Sequence, residues 1–229
     1  SSPSYIYALP DVPDSSNLKA EQGYWFMSLS DSSNSASYAS PLLAQIPRSD
    51  GDGLGGCGKY DACIDISGNA TWFDEIVIVG VTDSLSSTGN QGYDNSYIIA
   101  VRTDHRKYPD SSDKVVWQYP KKSSYRNEDG TQLGKLYGGG ALHDSGIIYW
   151  ATRCGSLFYP PYVQNDGTYT IDRGNLTTGT CGSGEGNNTL LALRAEDGEL
   201  EWSLDLPYGA ASTPYVTDSF VYVASMGTL

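Results

Sequence analysis

Apolar residues gather in short blocks along this chain, some alternating with polar positions and some continuous, and clusters of Gly, Asp, Asn and Ser separate them. That rhythm predicts β-strands joined by turns. Apolar spacing of three and four never persists, so no helix of useful length is predicted. The clearest pair of blocks is Thr189-Leu190-Leu191-Ala192-Leu193-Arg194 and Glu199-Leu200-Glu201-Trp202-Ser203-Leu204, with Asp197-Gly198 between them. Asp-Gly flanked by apolar runs is a strong hairpin signal, because both residues tolerate the positive φ of a tight turn. Ala192 is small enough to let the Trp202 ring lie close over the sheet.

Three segments share a pattern of small residues, a short strand, an acidic turn and an apolar strand: 68–80, 138–151 and 209–224. Their leading glycines, Gly68, Gly138 and Gly209, are 70 and 71 residues apart. A fixed period with a matching internal pattern predicts stacked or radial supersecondary units. Small residues suit a strand lining the narrow axis of a propeller, where neighbouring chains crowd together. Further strands follow the first two segments, at 96–102 and 114–119, then at 189–194 and 199–204. Ile98-Ile99-Ala100-Val101-Arg102 and Leu190-Leu191-Ala192-Leu193-Arg194 are one strand written twice, each followed by a strand carrying Trp.

The expected fold is therefore all-β: a β-propeller of four-stranded antiparallel blades, three to four of them present. The expected boundaries are 1–67 (partial), 68–137, 138–208 and 209–229 (partial). In the first, residues 23–29 and 41–46 fit second and third strands, and 62–66 a fourth without the Trp. Segments 83–95, 105–113 and 154–186 read as long surface insertions. Residues 221–229 stop where a third strand should begin, and 4–10 resemble that strand. Two accounts stay open: a fragment of a longer propeller, or an N-terminal strand completing the last blade within the chain or in a neighbour. The second implies self-association by strand complementation, since an unfilled blade has unpaired N–H and C=O groups.

Charge and cysteine add a compartment. A formal net charge of −13 argues against nucleic acid or an anionic membrane as partner, and no apolar run approaches the roughly 20 residues of a membrane span. The four cysteines lack zinc-site spacing. Cys57 with Cys63 and Cys154 with Cys181 each bracket a Gly-rich stretch, so those two disulfides are expected, although four cysteines permit three connectivities. Acceptor triplets for N-linked glycans begin at Asn69, Asn175 and Asn187. Together these point to an extracellular, secreted glycoprotein.

The run Ala192-Leu193-Arg194-Ala195-Glu196-Asp197-Gly198-Glu199-Leu200-Glu201-Trp202 resembles the tryptophan-docking motif of quinoprotein, or PQQ-like, β-propellers. Arg194 stands where that family usually has Asp, and Asp197 where it often has Thr. Ala100 and Trp117 match the same motif with a longer turn. The resemblance covers about residues 68–229 and implies structural docking roles for Ala100, Trp117, Ala192, Gly198 and Trp202. The family includes quinone-dependent alcohol and sugar dehydrogenases, an outer-membrane assembly lipoprotein and many repeats that bind no cofactor.

For its enzymes the resemblance implies PQQ beside adjacent cysteines, a calcium held by acidic and amide side chains, and a catalytic Asp. No two cysteines are adjacent here. Asp50-Gly51-Asp52-Gly53 lacks the downstream Glu of a calcium loop and reads as a turn. His143-Asp144 occupies a turn position whose counterparts are ordinary turn residues, and neither His belongs to a triad pattern. No catalytic residue, cofactor or metal site is therefore expected. The leading expectation is a non-catalytic scaffold or binding module in an extracellular assembly or fibre. Its loop aromatics Tyr93, Tyr125, Tyr159, Tyr162 and Tyr169 would stack on a carbohydrate or protein partner, or else pack on their own blades. The alternative is a fragment of a quinone-dependent alcohol or sugar dehydrogenase, using PQQ and calcium held by other blades.

Overall fold

A computed structural model describes residues 39–47, 73–85, 96–103, 114–123, 133–154, 181 and 186–225, with the short strand segments 5–8, 25–28, 35–36, 63–64, 70–71, 93–94, 126–127, 162–163 and 169–170. Among these residues the architecture is antiparallel β-sheet.

In chain order, β1 (Tyr5–Ala8) pairs with β2 (Trp25–Ser28), placing Ala8 opposite Trp25. Next come β3 (Ser35–Ala36) and β4 (Leu42–Pro47), then the hairpin of β5 (Cys63–Ile64) and β6 (Ala70–Thr71). β7 (Phe73–Leu85) is the longest strand; β3 and β8 (Tyr93–Asp94) pair with its far end. With β9 (Tyr97–Arg102) and β10 (Val115–Tyr119), strands β4 and β7 build a first four-stranded sheet in the order β4-β7-β9-β10. A short hairpin of β11 (Lys122–Ser123) and β12 (Arg126–Asn127) follows.

The second sheet has the order β13 (Ala141–Leu142), β14 (Ile147–Ala151), β17 (Thr189–Arg194), β18 (Leu200–Asp205). Its long β14–β17 connection carries the hairpin of β15 (Tyr162–Val163) and β16 (Tyr169–Thr170). A last hairpin joins β19 (Tyr215–Val216) to β20 (Val221–Tyr222).

Three expectations for the first half need correction. Leu42–Pro47, expected as the third strand of an earlier blade, is the first strand of the first sheet. Residues 68–73 were expected there, but Ala70–Thr71 pairs with Cys63–Ile64 instead. The reason lies in side-chain alternation: Ala44 and Ile46 are buried while Leu43 is exposed, so β4 offers a period-two apolar face to Ile76 and Ile78. Trp25–Ser28, expected as a second strand, lies in register with Tyr5–Ala8, the strand that resembles a third one.

β9 and β17 are buried along nearly their whole length on both faces, which is why each reads as a continuous apolar run. The two sheets pack face to face: Ile76, Ile78, Ile98 and Ala100 of the first meet Ile148, Trp150, Leu191 and Leu193 of the second. On the second sheet's other face, Ala151 and Leu190 cluster with Tyr149, Val221 and Val223, so β19–β20 covers its inner half.

First strands meet in series, with β13 touching β4 on one side and β19 on the other. The Gly139 N–H donates to Thr213 Oγ1 at 2.9 Å, and a Cβ on Gly139 would lie 3.1 Å from the Ser40 carbonyl oxygen. One on Gly138 would run into the Ser212 backbone. Small residues are thus required where consecutive units approach. The counterparts of Gly138–Gly139 are Ser40 and Ser212–Thr213. Gly209, expected in that role, packs instead against Arg153 and Asn188, and Gly68 lies outside the described residues.

Candidate functional site

Two indoles lock the sheets together. Trp117 on β10 stands opposite Ala100, and Ala100 leaves room for its ring to turn toward the second sheet. Its indole N–H donates to the Ala195 carbonyl at 2.8 Å, and its ring lies on Gly198. Gly198 closes the β17–β18 turn at φ +71°, a conformation that suits glycine. Any Cβ there would overlap the Trp117 ring. Trp150 on β14 donates its indole N–H to the Gly138 carbonyl at 2.9 Å. Its ring lies between Gly80 of the first sheet and Gly140 of its own, where a Cβ would come within 2.8 and 2.6 Å.

Trp202 repeats the position of Trp117, opposite Ala192 on the fourth strand. Trp117 is 7% exposed; Trp202 is 42% exposed. The Tyr149 ring lies 5.7 Å from it, tilted by 49°, a favourable aromatic contact. Leu204 lies on the same face of β18 and is open too. Beside this face, Tyr222 sits 6.2 Å from Tyr215 and 6.1 Å from Phe220, all three exposed. The second sheet and the adjoining hairpin thus carry two separate aromatic groups, Trp202 beside Tyr149 and Tyr222 between Tyr215 and Phe220.

Carboxylates gather about Arg194 at the β17–β18 hairpin. Arg194 Nη2 lies 2.6 Å from Asp197 Oδ2 and 2.8 Å from Glu199 Oε2, with Glu201 at 3.7 Å from Nε. The hydrogen bond to Asp197 raises the Arg194 guanidinium above its ordinary value. Reciprocally, the bond from Arg194 holds the Asp197 carboxyl below the usual carboxylate range. Arg102, at the corresponding place in the first sheet, lies 3.3 Å from Asp74. Both arginines thus take part in ion pairs within their own sheets.

The His143 turn has an arrangement that the sequence pattern missed: Ser145 Oγ lies 2.7 Å from Nδ1. That nitrogen also accepts the Ser145 backbone N–H at 3.1 Å. The lone pair that a general base would use is committed to closing the turn.

Cys154 and Cys181 form a disulfide. The Cys154 backbone N–H donates to Asn188 Oδ1 at 2.8 Å, and the Thr152 hydroxyl donates to the Asn187 carbonyl at 2.6 Å. These bonds hold residues 187–189 against the end of β14 and leave the Asn187 side exposed. Among the other expected residues, Cys57, Asn69, Asn175, Tyr125 and Tyr159 lie outside the described residues. Cys63, Tyr93, Tyr162 and Tyr169 are placed by their short strands alone. The aromatic residues brought together are instead Tyr149 with Trp202, and Tyr222 with Tyr215 and Phe220. For Trp202 a signal existed in its alternation with Leu204 on one strand face.

Cys154 is bonded to a distant cysteine, and no three acidic, His or Cys side chains cluster among the described residues as metal ligands. No helix among the described residues is long and apolar enough to cross a membrane. No protein-family model matches the chain, and no curated protein matches it.

Proposed function

We propose that the chain belongs to a β-propeller whose stacked sheets act as a non-catalytic scaffold or binding module of a secreted glycoprotein. The observation that carries this reading is the contrast between Trp117 and Trp202. One indole is clamped between consecutive sheets, while the equivalent one, with Tyr149, faces outward as an adhesive surface. Serial contact of β4, β13 and β19 supports a radial arrangement, because first strands of successive blades adjoin at a propeller axis. The exposed Asn187 leaves room for a glycan without disturbing the Thr152 bonds, and a disulfide suits an oxidising compartment.

The test is expression in a secreting eukaryotic host, followed by glycosidase treatment, peptide mass analysis and electron microscopy of the purified particle. The expected result is a glycan at Asn187 and an annular particle. Absence of a glycan from all of Asn69, Asn175 and Asn187 overturns the glycoprotein reading, and a linear stack of sheets overturns the propeller. Incubation with PQQ and calcium should produce no turnover of alcohols or aldoses; turnover would overturn the non-catalytic role.

A further inference from the structure

The β19–β20 hairpin sets two phenols against each other. Its register puts Tyr215 directly opposite Tyr222, and Val216 opposite Val221. Directly opposed residues of an antiparallel pair send their side chains to the same face of the sheet. The two tyrosine rings accordingly lie with centroids 6.2 Å apart, tilted by 44°. Two hydrogen bonds close the turn that fixes this register. The Thr217 N–H donates to the Phe220 carbonyl at 2.9 Å, and the Phe220 N–H donates to Thr217 Oγ1 at 3.1 Å.

The hairpin is also held from beneath. Val221 and Val223 pack against Ala151 and Leu190 of the second sheet, and Ser225 bridges to Ala210. By strand alternation Tyr222 then faces away from that anchor. Both phenols are open to solvent, Tyr215 at 68% and Tyr222 at 56% exposure. Rings so placed meet an oxidant that no core residue meets, and they stay free to turn about χ1 and χ2 until their edges touch. Tyr97, by contrast, is buried, and Tyr149 has an indole beside it.

We propose that Tyr215 and Tyr222 form an oxidative modification site, coupled within one chain into a dityrosine by a haem peroxidase that uses hydrogen peroxide. Each phenol gives up one electron and its hydroxyl proton, which leaves two phenoxyl radicals. A carbon–carbon bond forms between the ring carbons ortho to the two oxygens. The hydrogen on each coupled carbon then moves to its oxygen and restores both phenols. Peroxide takes up the two electrons and two protons, its O–O bond breaks, and two waters leave. The partner ring is supplied by the same hairpin, so the second radical is met at a high effective concentration. The coupling needs only the hairpin and no closed ring of sheets.

The test treats the full chain with a haem peroxidase and hydrogen peroxide, then reads dityrosine by its fluorescence and by peptide mass. Cleavage on the N-terminal side of Asp218 severs the chain between the two tyrosines. The two flanking peptides should stay joined, with a mass two hydrogens below their sum. Their yield should hold on roughly tenfold dilution of the protein, as intramolecular coupling requires. Tyr215→Phe and Tyr222→Phe each keep a ring on the hairpin, and each should abolish the joined product. Flanking peptides that separate after treatment, with dityrosine at other tyrosines or none at all, overturn the proposal. A link between isotopically heavy and light chains in a mixture does the same, as does a joined product that survives in either Phe variant.

Discussion

Replacing Gly198 with alanine tests the indole clamp directly. Two separate penalties are expected. An alanine held at φ +71° costs about 1–2 kcal/mol in backbone strain. Its Cβ also overlaps the Trp117 ring, and forcing a packed ring aside costs about 1–3 kcal/mol. The sum is a loss of about 2–5 kcal/mol, a large share of the total stability of an ordinary domain. Trp117→Leu removes most of the overlapping ring and leaves the Ala195 carbonyl without its indole donor, a loss of about 3 kcal/mol by itself. In that background Gly198→Ala should retain only the backbone penalty. A double-mutant cycle read from urea denaturation, followed by far-ultraviolet circular dichroism, should therefore show a coupling of about 1–3 kcal/mol. Strict additivity of the two substitutions would refute the claim that the ring and the turn of the next sheet touch.

Three further outcomes are expected. Gly80→Ala and Gly140→Ala should each lower stability by about 1–3 kcal/mol in thermal melts, because each Cβ enters the space of the Trp150 ring. Cys154→Ser with Cys181→Ser opens a loop of sequence separation 27 and should lower the urea-derived stability by about 3–4 kcal/mol, provided loop entropy governs it. The depressed Asp197 carboxyl stabilises the fold above about pH 4, where the unfolded chain would already have released that proton, and this contribution disappears as pH falls through the folded value. Asp197→Asn should then weaken the protein at pH 7, and the gap from the parent should narrow as pH falls below about 4; a gap that does not change with pH would contradict the ion pair.

The elements legible in the sequence were those whose partners lie nearby. The β17–β18 hairpin is closed by its own Asp197-Gly198 turn. The kinship of β9 and β17 showed because a strand buried on both faces has little choice but continuous apolar residues. β4 was misassigned because it joins β7 across the 48–72 segment, and a short apolar block does not reveal which distant strand it will meet. The Ala–Trp pairing within a sheet was visible, whereas the reach of Trp117 to Ala195, 78 residues on, was not. Nothing in the sequence separates Trp117 from Trp202 either. They occupy equivalent positions, and among the described residues a facing sheet turn meets Trp117 and none meets Trp202. Loops carry recognition in general, yet the exposed aromatic pairs lie on strands, Tyr149 and Trp202 on β14 and β18, Tyr215 and Tyr222 on β19 and β20.

Trp117 and Trp150 pin one interface at two separate points. A plate held by a single peg still pivots; a plate held by two neither slides nor turns. The two whole sheets should therefore move as one stiff plate, and bending of the molecule should concentrate beyond β18, where Trp202 has no turn of a following sheet to grip among the described residues.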